Sequence, residues 1–397
     1  MNKKYYFSIF ILFASLIAGQ LIRVPLFGKI FLVSDIAILG FLAWRFFVTK
    51  DIFRKILIHY LFIPTALFVG FSVLSLLVAA RSIGPAKALS AGLYLGRWFL
   101  YILTAFALAE FPNKNRTRDT VFWGIIITAL VLAILGFFQL AIFPDFTFMV
   151  KYGWDPHQGR LLSTWFDPNF LAGFFAIALA FISAKILYCG KKNKDFWLMM
   201  GLGGIIYLAT ILTYSRSGYL ALATVFVALC FLRFSPKFFA YGIVLALATL
   251  LVFPRSYQRM MDASAIDATT QTRVESWNDT KEIIKSHSLF GVGFNTLQWQ
   301  WSEKKPDHAQ SGCDSSLLTL WATTGILGML AFLWILWTIL HDKLQMLWSQ
   351  NDVLDKIFAV GSFAAITAIL IHSTFVNSLL YPHIILPIWL IAGARLR

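Results

Sequence analysis

The chain has 397 residues, 59% hydrophobic and 13% charged, and its mean hydropathy is +0.72. A water-soluble globular protein of that composition would lack the polar surface to cover itself, so that class is excluded. The net charge of +15 does not point to nucleic acid, because the Lys and Arg residues fall in short loops between apolar runs rather than in a basic stripe interleaved with aromatics.

Taken in chain order, apolar runs at 5–22, 31–48, 57–80, 86–109, 121–143, 169–188, 196–214, 217–233, 238–253, 315–340, 357–380 and 383–395 predict about twelve membrane-spanning helices, since roughly 20 apolar residues cross the hydrocarbon core. The expected fold class is therefore all-α, a polytopic integral membrane helical bundle, with residues 1–397 forming one transmembrane domain. The first run follows Lys3 and Lys4 and has no clear cleavage site, so it reads as an uncleaved first span. The last is short and interrupted by Pro387. Basic clusters at Lys3/Lys4, Lys50/Arg54/Lys55, Lys114/Arg116/Arg118, Lys191/Lys192/Lys194, Arg233/Lys237, Lys343/Lys356 and Arg395/Arg397 all fall on one side. By the positive-inside rule that side is the cytoplasm, and both termini lie there. The three cysteines, Cys189, Cys230 and Cys313, are each placed in a different compartment, so no disulfide or cysteine metal site is expected.

Two substantial loops are then extracytoplasmic, 144–168 and 254–314. The second is balanced in charge and carries Trp277, Phe290, Phe294 and Trp299, enough apolar surface to fold back on the bundle. Within it Thr272-Arg273-Val274-Glu275 fits a capping box that would open a helix, and Gly291-Val292-Gly293 would end that segment. A long ordered loop is usually a functional one.

Polar residues gather at the predicted outer face. Arg160 precedes Asp167-Pro168-Asn169, where Asp167 suits an N-cap and Pro168 the first helical position; a helix N-terminus beside an arginine suits an anion. Thr213-Tyr214-Ser215-Arg216-Ser217 joins two spans with almost no loop, which holds Arg216 at the membrane surface. Arg273 and Trp277 stand four apart on one helix face. His308 and Asp314 lie where the large loop re-enters the membrane, and Asp314 also suits a cap for the following span. Deeper, Arg97 sits mid-span, as a functional charge or in an ion pair for which Asp35 is one candidate. His372, Ser373, Thr374, Asn377 and Ser378 form a polar stripe that either lines a cavity or bonds neighbouring helices.

In this order the pieces resemble the O-antigen ligase and O-antigen polymerase superfamily of bacterial envelope glycosyltransferases. The resemblance rests on Arg160 with Ser163-Thr164-Trp165-Phe166-Asp167-Pro168-Asn169, on Thr213-Tyr214-Ser215-Arg216, and on Arg273-Val274-Glu275-Ser276-Trp277. It continues with Ser288-Leu289-Phe290-Gly291-Val292-Gly293, Asp314-Ser315-Ser316-Leu317-Leu318 and Thr324-Gly325-Ile326-Leu327-Gly328. It implies a plasma-membrane enzyme that transfers a glycan from a polyprenyl diphosphate, such as undecaprenyl diphosphate, to a glycan, lipid or protein acceptor on the outer face. It also implies inversion at the anomeric centre, no metal and no cofactor, with Arg216 and Arg273 holding the diphosphate. Arg160 joins them as a third diphosphate ligand, with Asn169, Ser215, Trp277, Arg97 and His372 in support. The family's proposed base is a histidine followed by asparagine, where this chain has Asp314-Ser315; the nearest histidine is His308. The base is therefore His308 with Asp314 orienting it, or Asp314 itself.

The chemistry suits these residue types. As the glycosidic bond breaks, negative charge grows on the leaving diphosphate, and preorganised arginines stabilise it without a metal. The attacking hydroxyl must lose its proton to a nearby base. Other uses of such a bundle are a secondary transporter or flippase of envelope precursors, a peptidoglycan-polymerase-type glycosyltransferase, and a scaffold. A transporter predicts pseudo-symmetric halves, and no internal repeat is found.

Overall fold

The computed structural model describes residues 3–26, 29–233, 235–261, 268–300, 312–349 and 352–395. The helices are α1 (Lys3–Ala18), α2 (Val33–Val48), α3 (Ile52–Leu57), α4 (Phe62–Ile83), α5 (Pro85–Ala109), α6 (Lys114–Ile142), α7 (Pro168–Tyr188) and α8 (Lys194–Leu212). They continue as α9 (Arg216–Leu232), α10 (Pro236–Val252), α11 (Pro254–Met261), α12 (Ala268–Ser286), α13 (Leu297–Gln300), α14 (Ser316–Ser349), α15 (Val353–His372) and α16 (Pro382–Gly393). One antiparallel hairpin, β1 (Arg23–Leu26) with β2 (Lys29–Leu32), follows α1.

Every predicted span contains a helix, so the all-α membrane architecture holds. By length and apolarity seven described helices are able to cross a bilayer, or eight if α10 and α11, bent by 99°, count as one span. Helices α1, α9 and α16 are apolar but shorter. The bundle wears a belt of exposed apolar side chains, including Phe47, Leu77, Phe231 and Leu251, which is the surface lipid tails solvate. Its centre is α7, almost entirely buried, with α15 and α9 packed along it. Small residues on α7 such as Gly173 and Ala176, and Gly361 on α15, permit close approach; a Cβ at Gly361 would meet Phe181 at 2.8 Å.

Three sequence expectations need correction. Helix α12 begins at Ala268, so the Thr272 capping box lies inside the helix rather than opening it. The span expected over 357–380 ends at His372, and Ser378–Leu380 is a short 3-10 turn. The first span stops at Ala18 because the chain turns at Gly19 (φ 55°), where a Cβ would lie 2.5 Å from the Thr164 carbonyl oxygen.

Two loops are brought to one end of the bundle. Arg255, at the start of α11, donates to the carbonyls of Gly159 (2.8 Å) and Gln158 (2.7 Å). The segment after α12 plugs a break in α14. Gly325 has φ 70°, and the N–H groups of Val292 and Gly293 satisfy the Ala322 and Thr323 carbonyls that the break exposes, while Ile326 N–H donates to Ser288. Irregular backbone at membrane depth is tolerable only when satisfied in this way. A Cβ on Gly325 would sit 2.0 Å from the Leu289 oxygen, and one on Gly291 2.5 Å from Thr323. Two sequence motifs far apart in the chain are therefore the two halves of one lock. The opposite end gathers ion pairs: Lys55–Glu110, Arg118 with Asp119, Asp352 and Asp355, and Asp342 with Lys343 and Arg395.

Candidate functional site

Two helix N-termini meet where the loops converge. Asp167 caps α7, accepting from the N–H groups of Asn169 and Phe170 (2.7 and 3.2 Å), with Pro168 in the first turn as the sequence predicts. Ser215 caps α9, its Oγ accepting from Gly218 N–H and donating to Asn169 Oδ1 (2.9 Å). Asn169 thus ties one cap to the other. Arg160 lies over this junction, with Nε on the Thr213 carbonyl (2.8 Å) and Nη2 on Asn169 Oδ1 (3.3 Å). The sharp turn that places Arg216 at the head of α9 needs Tyr214 in the left-handed region (φ 49°), and the Arg255 guanidinium covers that tyrosine ring at 4.4 Å.

From there the site runs into the large loop. Arg216 Nη1 donates to Thr270 Oγ1 (3.3 Å), and Thr270 stands three residues before Arg273 on α12, hence on the same helical face. Arg273 Nε faces Asp314 Oδ2 at 3.4 Å, and Trp277 Nε1 donates to the Asp314 carbonyl at 3.3 Å. The cap on α14 is Ser315, whose Oγ accepts from Leu318 N–H (3.4 Å), which leaves the Asp314 carboxylate to Arg273. Arg160, Asn169, Ser215, Arg216, Arg273, Trp277 and Asp314 therefore form one connected constellation, although they span more than a third of the chain. His308 lies outside the described residues.

The electrostatics bind the two loops together. Burial, then Arg259, pushes the Arg160 pKa down to about 10, with Asp167 opposing. His157 is pushed down to about 4, by burial first and then by Arg160 and Arg259. Burial raises the carboxyls of Asp167 and Asp314, and Asp155 raises both further, so Asp155 looks toward both loops. Asp314 nonetheless keeps a side chain 56% exposed, so its surroundings combine a dry wall with an open face. Arg160 stays protonated at neutral pH in a basic environment, a state that an arriving anion would relieve.

Arg97 sits elsewhere, and His372 lies against α7 beneath the site. Arg97 makes a bidentate ion pair with Asp35, both distances 2.7 Å, the partner that the sequence suggests. It lines a separate cleft with Gln20, Arg23, Tyr94 and Tyr381. His372 is fully buried, with Nδ1 2.6 Å from Ser378 Oγ. The polar stripe around it bonds neighbouring elements: Ser316 N–H donates to the Ser373 carbonyl, and Asn377 Nδ2 to the Cys313 carbonyl. Ser373, Asn377 and Leu379 thus fix the re-entry of α14, while His372 packs on α7, where a Cβ at Gly173 would lie 3.2 Å from its ring.

Sequence reasoning missed Arg255, Arg259 and Asp155. The i, i+4 spacing of the two arginines on a helix opened by Pro254 was a usable signal for one basic face. Nothing local marks Asp155, which acts only through the folding of its loop against the other.

Residues 198–333 match the protein family described as O-antigen ligase. The matched stretch runs from α8 through the first half of α14 and holds Arg216, Arg273, His308 and Asp314, while Arg160 and Asn169 reach it from outside. It supports O-antigen ligase-type glycosyltransferase activity in general, with a lipid-linked glycan and an acceptor as the substrates the family implies. No curated protein matches the chain.

Proposed function

We propose that the chain is an envelope glycosyltransferase of the O-antigen ligase or polysaccharide polymerase type. It transfers a glycan from a polyprenyl diphosphate to an acceptor hydroxyl on the outer face of a bacterial plasma membrane, with inversion and without metal. The observation that carries this is that Arg160 and Arg216 stand at two joined helix N-termini, with Arg273 one turn along α12 from Thr270, which Arg216 reaches, inside and beside the matched segment. Helix N-termini and arginine forks are the groups that bind phosphoryl oxygens.

In this reading the acceptor oxygen attacks the anomeric carbon as the bond from that carbon to the diphosphate oxygen breaks. The bonding electrons leave with the diphosphate, where the three arginines stabilise the charge. The hydroxyl proton passes to His308. Asp314 is the positioning residue, because its carboxylate already faces Arg273 and so holds the clamp in register. An unperturbed histidine titrates near pH 6.5, so a histidine base predicts that rate falls below about that pH.

The test is transfer by purified enzyme across pH, using a polyprenyl-diphosphate-linked glycan. His308→Ala is expected to abolish turnover, and Asp314→Asn to weaken donor affinity more than turnover. Full activity in His308→Ala with none in Asp314→Asn would assign the base to the aspartate instead. Orientation is tested separately. In a chain whose native cysteines are replaced by serine, Tyr152→Cys on the first loop should label with an impermeant thiol reagent in intact spheroplasts, and Lys192→Cys only after lysis. The reverse pattern would place the site in the cytoplasm.

A further inference from the structure

The β1–β2 hairpin, α5 and the start of α16 enclose an open cleft of about 390 Å³, lined among others by Gln20, Arg23, Ile30, Tyr94, Arg97 and Tyr381. None of these residues lies within 198–333, and none takes part in the arginine clamp.

The cleft is built, not incidental. Asp35, itself buried, holds Arg97 by both carboxylate oxygens and accepts from Tyr101 Oη (2.9 Å), while Ser34 Oγ lies 2.9 Å from the same hydroxyl. Gln20 Nε2 donates to Tyr381 Oη (3.2 Å), and Arg23 Nε donates to Gln20 Oε1 (3.2 Å). Arg23 stacks 4.2 Å over Trp154 and meets no carboxylate among the described residues. The formal charge of Arg23, Arg97 and Asp35 together is +1 + 1 − 1 = +1. Burial pushes the Arg23 pKa down, so its cation lacks compensation there.

The cleft also adjoins the proposed clamp. Tyr381 stacks face to face on Phe170, at 3.8 Å and 8°, in the first turn of α7 beside Asn169. Trp154, under Arg23, directly precedes Asp155, whose charge is felt by both Asp167 and Asp314. One loop is therefore the shared wall of two polar sites.

We propose that this cleft is the acceptor subsite and takes an anionic sugar, with its phosphate or carboxylate at Arg23 and Arg97 and its ring against Tyr94. This rests on the glycosyl-transfer reading above. A transferase needs a second polar site beside the leaving diphosphate. A planar guanidinium fork, an amide and tyrosines are the groups that read a charged, hydroxylated ring. A neutral glycan would leave Arg23 without an anionic partner among the described residues.

The test is equilibrium binding of soluble probes to the full chain in detergent, read by intrinsic tryptophan fluorescence and by calorimetry. Glucose 1-phosphate should bind about tenfold or more tighter than methyl glucoside, the margin one charge-assisted contact supplies. Arg23→Gln should remove that margin, and Tyr94→Ala should weaken both probes. Arg216→Gln should leave both unchanged while it abolishes inorganic pyrophosphate binding, which Arg23→Gln retains. Retained pyrophosphate binding shows Arg23→Gln to be folded, and if that variant fails to fold, Tyr94→Ala alone decides. Equal affinity for the two glucosides, or a margin surviving Arg23→Gln, overturns the proposal. Glycerol 1-phosphate binding as tightly as glucose 1-phosphate would make the cleft a phospholipid headgroup site and overturn the glycan assignment. Sugar-phosphate binding at Arg23 with no pyrophosphate binding at Arg216 would sink the diphosphate clamp and leave the cleft an anionic-sugar site.

Discussion

Both ends of the bundle are rich in arginine, but they use it differently. At the end holding Lys55, Arg118 and Arg395, cations meet carboxylates: Arg118 reaches Asp119 at 2.8 Å and also Asp352 and Asp355, and Arg395 reaches Asp342 at 2.6 Å. At the other end Arg273 and Arg97 also face carboxylates, Asp314 and Asp35, but Arg160 is held by a carbonyl and an amide oxygen, and Arg255 by two carbonyls. Carboxylates cancel charge, whereas neutral acceptors fix a guanidinium in place and leave its charge available. The first end is therefore built for stability and the second for an anion.

The sharpest way to break that contrast is to replace arginine at both ends. Arg216→Lys and Arg273→Lys lose the planar fork, and transfer by purified enzyme should fall on the order of a hundredfold, with thermal stability near wild type. Arg118→Met should do the reverse, leaving Asp119, Asp352 and Asp355 without their cation, at a cost of roughly 3 kcal/mol in unfolding and little change in turnover of the folded fraction. Near wild-type transfer in both lysine variants would remove the clamp.

The second effect concerns the lock between α12 and α14. Gly325→Ala must hold φ at 70° and drive a Cβ into the Leu289 carbonyl. A cost of about 1–3 kcal/mol is expected. Because the lock sets the register of α12 against α14, transfer should fall together with protease resistance of the 254–314 loop. Unchanged proteolysis would show that the lock does not position the loop. A smaller effect belongs to the joined caps. Ser215→Ala removes both the α9 cap and the tie to Asn169, for about 1 kcal/mol of stability, and pyrophosphate affinity should weaken several-fold.

The contrast also explains what the sequence could disclose. Apolar run length and basic clusters are local properties, and they located a helix in every expected span. The cap at Asp167 was legible for the same reason, since N-capping depends on a few consecutive residues, while the cap at Ser215 emerged only with the fold. The Arg97–Asp35 pair was guessable because a mid-span cation needs a partner. The Gly291–Gly325 lock was not legible. Gly291 reads as a turn signal and Gly325 falls inside an expected span, and only the fold shows that each is required by the other's backbone. The Thr272 box misled because the helix already runs from Ala268, one turn before its capping signal. Asp155 and Arg259 matter through loop against loop, which no window of sequence contains.

The least of the expected effects is a pH dependence of stability set by His157. Its pKa is about 4 in the fold, pushed down first by burial and then by Arg160 and Arg259, against about 6.5 in the unfolded chain. Between those values the unfolded chain binds more protons than the folded one, so unfolding free energy increases with pH across that window. His157 is neutral in the fold above pH 6.5, and the stability tied to that neutrality is lost as pH falls toward 4. The measurement is thermal unfolding in detergent from pH 7.5 to 4.5 for wild type and His157→Gln. Glutamine keeps a polar side chain of similar reach and cannot acquire the charge, so the slope between pH 6.5 and 4.5 should flatten. Saturating pyrophosphate should flatten it in wild type as well, because an anion beside Arg160 offsets the field that opposes protonation of His157. An identical slope in both proteins would mean that His157 is solvated in the working protein, and that the basic environment around Arg160 is weaker than its burial implies.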